Sequence, residues 1–71
     1  MDEENKQKIC DLLLPALQAT RGGSKLVNLV YTAEPHKENV TAVFQGGWVK
    51  FADVTADSGT ALIYDVMRQI F

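Results

Sequence analysis

Three small groups of side chains in this 71-residue chain have residue types that could do chemistry. His36 lies two residues from both Glu34 and Glu38, so one imidazole and two carboxylates could face a metal ion. A zinc site in a protein is normally built from three or four firmly placed ligands. One histidine with two carboxylates in a polar loop is a poor set, so the sequence predicts a solvated loop and no metal.

Two aspartates and the single cysteine are also of residue types found at catalytic or binding sites. Asp53 and Asp57 could form a carboxylate pair, but acid–base work also requires a pocket and a shifted pKa, which nothing nearby predicts. Asp57 begins a predicted helix whose free amides could bind an anion, although its own carboxylate is expected to cap them and repel an anion. Cys10 lies in an apolar helical stripe with no histidine near it in sequence, which predicts a buried structural thiol. The sequence therefore favours a protein without enzymatic activity, cofactor or metal.

The bulk composition limits the classes of function. The length predicts one domain, residues 1–71, and 46% hydrophobic residues are enough for one core. A net charge of −2 gives no general attraction to nucleic acid or to anionic lipid. One cysteine and an acidic N-terminal stretch, unlike a secretion signal, favour the cytoplasm. The longest apolar stretch, residues 9–17, is too short to span a bilayer.

Two helices are predicted, one at each end of the chain. Residues 3–20 have apolar side chains at helical spacing and end at Gly22-Gly23, with one of these glycines in a left-handed cap. Pro15 either kinks or breaks this helix. Residues 57–70 form the second helix, with Asp57 as N-cap. Its predicted buried stripe is Ile63, Val66, Met67 and Ile70.

Three strands are predicted between the helices. Residues 25–32 are rich in β-branched and aromatic types, and a polar loop follows over 33–38. Gly46-Gly47 then joins the runs 39–45 and 48–54, as in a tight hairpin, because both glycines accept a positive φ. A two-residue loop places Gln45 opposite Trp48, Phe44 opposite Val49 and Val40 opposite Asp53.

This register sorts the hairpin into two faces, because successive side chains of a strand alternate. The apolar set is predicted to face the core: Val40, Ala42, Phe44, Val49 and Phe51. The mixed set is predicted to face solvent or a partner: Thr41, Val43, Gln45, Trp48, Lys50 and Ala52. In the first strand, Val27, Leu29 and Tyr31 are the more apolar set and are assigned to the core, which leaves Leu26 and Val30 outside.

The predicted order is therefore α-β-β-β-α, an α+β domain with a three-stranded antiparallel sheet and both helices on one face. This order resembles the double-stranded-RNA-binding domain and the small toxins that share its topology. Those RNA-binding domains have lysines at the start of the last helix, whereas residues 55–59 here contain Asp57 and no base. The toxins have a histidine on the first strand, where this chain has Lys25. Neither family implies a functional residue here.

The run of residues 54–66, VTADSGTALIYDV, is similar to the C-terminal segment of small uncharacterised proteins from Gram-positive gut bacteria and their prophages. That resemblance implies a bacterial cytoplasmic or phage-derived setting and no particular activity.

The sequence favours protein–protein association, at least with itself as a homodimer, through the uncovered side of the sheet. Trp48 is the predicted aromatic anchor, because tryptophan is common at interface hot spots. The predicted surface is Trp48, Val43, Lys50, Leu26 and Val30. The rival hypothesis is a nucleic-acid-binding domain with a double-stranded-RNA-binding-like fold, which would require Arg21, Lys25, Lys37 and Lys50 to gather on one side.

Overall fold

A computed structural model of the chain describes residues 2–71. The elements are α1 (Glu3–Gln18), β1 (Leu26–Glu34), β2 (Lys37–Phe44), β3 (Val49–Asp53) and α2 (Gly59–Ile70). The strands form one antiparallel sheet in the order β1-β2-β3, and both helices pack against it. The predicted α-β-β-β-α fold is confirmed.

Helix α1 begins where the Asp2 side chain accepts a hydrogen bond of 2.8 Å from the Asn5 amide. It continues through Pro15 as one helix, so the proline does not break it. Gly23 is buried just after the helix, where an added Cβ would lie 2.1 Å from the Leu17 carbonyl oxygen. The predicted left-handed glycine cap is wrong, because the positive-φ glycines are Gly46 and Gly47; Gly23 is required for close approach instead.

Helix α2 begins two residues later than predicted. Ser58, not Asp57, occupies the N-cap position, and it makes no side-chain cap hydrogen bond. The buried stripe consists of Leu62, Val66 and Ile70, while Met67 is exposed. The predicted stripe was therefore rotated towards Met67, because the periodicity of α2 is apolar enough to fit either choice.

The connection between β1 and β2 is shorter than predicted. Glu34 pairs with Lys37, so Pro35-His36 is a two-residue turn in place of the predicted loop 33–38. At the other end of β1, Leu26 pairs with Phe44 but Asn28 pairs with Val43, so Val27 is the extra residue of a β-bulge.

The β2–β3 turn contains three residues, Gln45-Gly46-Gly47, and the predicted register is wrong by one position. The Gly47 amide donates to the Phe44 carbonyl at 3.2 Å, and the Phe44 amide donates to the Trp48 carbonyl at 3.0 Å. Phe44 is thus opposite Trp48, and Val43 pairs with Val49. Gly46 has φ 94°, the positive value that a type II turn requires at its third residue.

A slip of one residue exchanges the two faces of β3, because its side chains alternate. Ala52, which was predicted outside, is buried, and Phe51, which was predicted inside, is exposed. The slip also removes Asp53 from the apolar face. The core on the helix side of the sheet comprises Cys10, Leu17, Leu26, Leu29, Val40, Ala42, Phe44, Ala52, Val54, Leu62, Val66 and Ile70.

Candidate interaction surface

The side of the sheet away from the helices carries three rows of side chains, which we call the open face. Register pairs place Asn28, Val43 and Val49 in the first row and Val30, Thr41 and Phe51 in the second. The third row is Thr32, Asn39 and Asp53. The first two rows contain no charged side chain.

Phe51 lies in the middle row on the outer strand β3, and 62% of its surface is accessible. Val30 and Val49 are also exposed, and Val43 is half-buried between their strands. Val43 and Val49 are directly opposite, which places side chains about 4.5–5.5 Å apart. Val30 and Phe51 are each opposite Thr41 and are diagonal neighbours of Val43, about 7–8 Å away. The four therefore form one apolar patch that borders Thr41. A cluster of this kind on an uncovered face is typical of an interaction site.

Of the five residues predicted for the interaction surface, Val30 and Val43 lie on the open face. Leu26 is only 2% exposed, because the bulge at Val27 turns it to the core side together with Leu29. Trp48 and Lys50 lie on the helix side of β3, because the three-residue turn exchanged the faces of that strand. Their predicted place on the open face is wrong.

Phe51 and Val49 are the residues that the sequence reasoning missed. The predicted register put Asp53 on the apolar face, and that conflict was the available signal of a slip. Moving the pairing by one residue takes Asp53 out of the core and brings Ala52 and Val54 into it, where both are fully buried.

Trp48 is held at the end of the hairpin by stacking. Its ring lies 4.1 Å from that of Phe44, with only 5° between the two planes. The Lys50 ammonium is 5.7 Å from the Trp48 ring centroid and 6.0 Å from the Phe44 centroid, so it lies beside the stack and covers neither outer face. The Trp48 side chain, 48% exposed, is therefore a fixed aromatic surface at the hairpin end, separate from the open face.

On the helix side, one carboxylate joins three parts of the fold, and we call this group the Glu38 cluster. Glu38 accepts hydrogen bonds from the Lys6 ammonium of α1 at 2.5 Å and from the Tyr31 hydroxyl of β1. Its second oxygen accepts the Ala56 amide at 2.7 Å, and Ala56 has φ 61°. The positive φ aims this amide at the carboxylate at some cost in backbone strain.

The electrostatics of the Glu38 cluster are those of a closed ion pair. Hydrogen bonds from Lys6, Tyr31 and Ala56 lower the pKa of Glu38 from 4.5 to about 2. Burial, and then the bond to Glu38, raise the pKa of Tyr31. Lys6 is buried and its ammonium is paired with the Glu38 carboxylate. The two shifts keep Glu38 ionised and Tyr31 neutral at neutral pH.

A groove of about 540 Å³ lies beside the Glu38 cluster, and the Pro35-His36 turn forms part of its wall. Glu34 and His36 both line it, but the carboxylate oxygens of Glu38 already accept hydrogen bonds from protein donors. Among residues 2–71, no three histidine, cysteine or acidic side chains are close enough to hold one metal ion. The His36 group therefore does not assemble into a ligand set.

The carboxylate with the larger effect on Asp57 belongs to Asp65, and the charge of Asp53 contributes less. Burial, and then a hydrogen bond to Asp65, raise the pKa of Asp57 to about 6, while the pKa of Asp65 is lowered. The Oδ2 atom of Asp57 is buried without a hydrogen-bond partner. Burial and the neighbouring carboxylate of Asp65 both disfavour the ionised form of Asp57.

Cys10 is fully buried in α1, as predicted. Burial, followed by the charge of Asp11, raises the pKa of the thiol to about 11. The thiolate that a nucleophile requires is therefore disfavoured at neutral pH.

The basic residues of the rival hypothesis are divided between the two ends of the sheet. The Lys25 carbonyl accepts the Gln45 amide at 2.8 Å, so Lys25 lies beside the β2–β3 turn. Lys37 begins β2 at the other end of the strand, about 27 Å from Gln45 at about 3.4 Å per residue. Lys37 therefore does not form one basic patch with Lys25.

Comparison with known proteins gave no match to a protein-family model, to a curated protein or to a solved structure. Within residues 2–71, neither α1 nor α2 has the length and apolar character needed to cross a membrane.

Proposed function

We propose that this protein is a small non-enzymatic module that self-associates through the open face of its sheet. The observation that supports this best is the apolar patch of Val30, Val43, Val49 and Phe51, which no helix of the described chain covers. Burying exposed apolar side chains against another apolar surface is favourable, because it removes them from water.

A second copy of the same chain is the proposed occupant because the patch is self-complementary. Its first two rows are uncharged, so two copies related by a two-fold axis bring no like charges together at the centre. The charged groups lie at the far end, where hydrogen bonds from Thr55, and then the charge of Lys37, lower the pKa of Asp53. An apolar centre with a polar rim is the usual anatomy of an interface.

The size of the patch predicts a weak dimer. Three strands about 4.8 Å apart and about six residues long make a face of roughly 14 by 20 Å. That footprint is well below the roughly 800 Å² per partner of a standard interface. The association is therefore expected to be reversible and visible only at high protein concentration.

The test uses two exposed aromatic residues on different sides of the molecule. Phe51→Ser removes the most exposed side chain of the patch, while Tyr64→Ser removes a ring of nearly equal exposure, 64%, from α2. Sedimentation equilibrium of both variants and the wild type, at the same high concentrations, measures the dimer constant.

The expected result is a wild-type dimer that Phe51→Ser abolishes and Tyr64→Ser retains, with similar unfolding midpoints for all three. Trp48→Ala is expected to retain the dimer as well, because Trp48 lies off the open face. A monomeric wild type at every concentration, or equal weakening by Phe51→Ser and Tyr64→Ser, would refute the proposal.

The rival function, nucleic-acid binding with a double-stranded-RNA-binding-like topology, can be tested directly. The α2 start has Asp57 and no base, and Lys37 is remote from Lys25. Phosphate contacts are strongest at low salt. Binding of duplex RNA at low salt that weakens as salt is added would favour the rival function over self-association.

The cytoplasm is the proposed location. The support for it is that the single cysteine is buried and free, as suits a reducing compartment. The bacterial or prophage setting likewise remains a prediction from the 54–66 segment.

A further inference from the structure

Both outer strands of the sheet have backbone groups that point away from it. Such groups are a template for adding a strand from another molecule, so natural sheets protect their edges. Here some of the outward groups of β1 and β3 are bonded by glutamine side chains, which we call the edge amides: Gln7, Gln18 and Gln69.

On β1, Gln7 of α1 imitates a neighbouring strand. Its Oε1 accepts the Tyr31 amide at 2.8 Å, and its Nε2 donates to the Leu29 carbonyl at 3.2 Å. The two bonds bracket Val30, as the N–H and C=O of one residue in a parallel neighbouring strand would. The same Nε2 also donates to Asp11 at 2.8 Å, which fixes the amide on α1.

Two more side chains bond outward groups of β1. Gln18 Nε2 donates to the Leu26 carbonyl at 2.9 Å, and the Asn28 side chain accepts the Leu29 amide at 2.9 Å. By alternation along β1, the Tyr31 carbonyl and Ala33 carry the remaining outward groups, and this run is too short for a stable added strand.

On β3, Gln69 of α2 makes the reciprocal pair of an antiparallel neighbour. Its Oε1 accepts the Asp53 amide at 2.8 Å, and its Nε2 donates to the Asp53 carbonyl at 3.0 Å. By alternation along the strand, Val49 and Phe51 carry the remaining outward groups of β3. Because β3 has only five residues, closing Asp53 leaves an edge too short for a stable added strand.

We propose that the edge amides close both edges of the sheet to strand addition by another copy of this chain. The edge closure stands on the hydrogen bonds alone. Its consequence, that copies meet only through the open face and stop at a dimer, rests on the proposed function. Without the closure, edge pairing would be open-ended, because each added copy would present a fresh edge.

The experiment replaces one amide on each edge and compares it with a matched change elsewhere. Gln69→Leu and Gln7→Leu remove the two-bond pairs, and Gln45→Leu makes the same substitution in the exposed β2–β3 turn. Light scattering after size-exclusion chromatography measures growth with concentration. Hydrogen exchange at low concentration measures the Asp53 amide, and near-ultraviolet circular dichroism reports the packing of Trp48.

We expect Gln69→Leu to accelerate exchange of the Asp53 amide about tenfold, as loss of one net hydrogen bond implies. We expect it to form oligomers that grow with concentration and keep the Trp48 signal, while Gln45→Leu behaves as the wild type. The inference is overturned if both edge variants keep the wild-type size, or if growth occurs only with loss of the Trp48 signal. If Gln69→Leu does not fold, Gln7→Leu decides, by the oligomer size, the Trp48 signal and exchange of the Tyr31 amide, which donates to Gln7.

A double variant distinguishes failure of the edge closure from failure of the proposed self-association. In the double variant Gln69→Leu with Phe51→Ser, edge growth is expected to persist although the open-face dimer is lost. Growth that disappears with Phe51 would assign it to the open face and would overturn the edge closure.

Discussion

The Lys6–Glu38 ion pair gives the sharpest test of how the fold is held together. We consider Lys6→Met, Glu38→Gln and the double variant. Lys6→Met keeps the length of the side chain and removes its charge, leaving Glu38 with Tyr31 and Ala56 as donors. Glu38→Gln keeps the shape but leaves the Lys6 ammonium, 5% exposed, without a counter-charge.

Breaking a buried ion pair by removing one partner costs about 3–5 kcal/mol. The Glu38 side chain is 19% exposed, so water recovers part of that free energy, and we expect about 2–4 kcal/mol for Glu38→Gln. A 71-residue domain has a total free energy of unfolding of only about 4–10 kcal/mol. We expect a smaller loss of about 1–3 kcal/mol for Lys6→Met, because the carboxylate keeps two donors.

Urea unfolding of the four proteins at pH 7 gives the coupling free energy. The double variant is expected to be more stable than the sum of the single losses predicts, by about 1–3 kcal/mol, because it leaves no unpaired charge. Additive losses would show that Lys6 and Glu38 do not interact in the folded protein, and would refute the argument.

The same variants carry a pH signature. The folded pKa of Glu38, about 2, lies below its ordinary 4.5, so its contribution to stability is present above pH 4.5. That contribution is lost as the pH falls from 4.5 towards 2. Unfolding free energies measured over this window should fall less steeply for Glu38→Gln than for the wild type, and equal slopes would contradict the assignment.

Two further predictions concern the loop between β3 and α2. The folded pKa of Asp57, about 6, lies above its ordinary 3.8, so its stabilising effect is full below pH 3.8 and is lost as the pH rises through 6. Asp57→Asn should therefore be more stable than the wild type at pH 7 in thermal unfolding, with less pH dependence between 4 and 6; an unchanged slope would count against the raised pKa of Asp57. Ala56 has φ 61°, so Ala56→Gly should relieve strain and raise the unfolding free energy by up to about 1 kcal/mol, while Ala56→Val should lower it. Destabilisation by glycine in urea unfolding would show that the residue is not strained.

The helices, the strand order and the antiparallel sheet were predictable because each depends on local patterns. Apolar spacing, two glycine-containing breaks and β-branched runs are all visible within short windows of sequence. The precise register was not, because Gly46-Gly47 fits both a two-residue and a three-residue turn. The choice depends on which residues in and just after β3 are buried under the helices, and these are Ala52 and Val54.

The Glu38 cluster and the edge amides were also beyond sequence reasoning. Lys6 and Glu38 are 32 residues apart, and Gln69 meets Asp53 across 16 residues. A lysine near the N-terminus of a helix ordinarily predicts a solvated charge. Its burial depends on the Pro35-His36 turn bringing Glu38 beneath α1.

The sequence by itself determined that this chain makes two helices and three strands, because hydrophobic spacing and turn residues act over a few neighbours. Only the tertiary structure decided which side chains are left outside. The bulge at Val27 changes the side of Leu26 relative to the rest of β1, and one extra residue in the glycine turn reverses the sidedness of β3. A strand's pattern alone does not fix which of its faces meets the helices. Phe51 became the most exposed side chain of the patch, and Trp48 left it, for that reason.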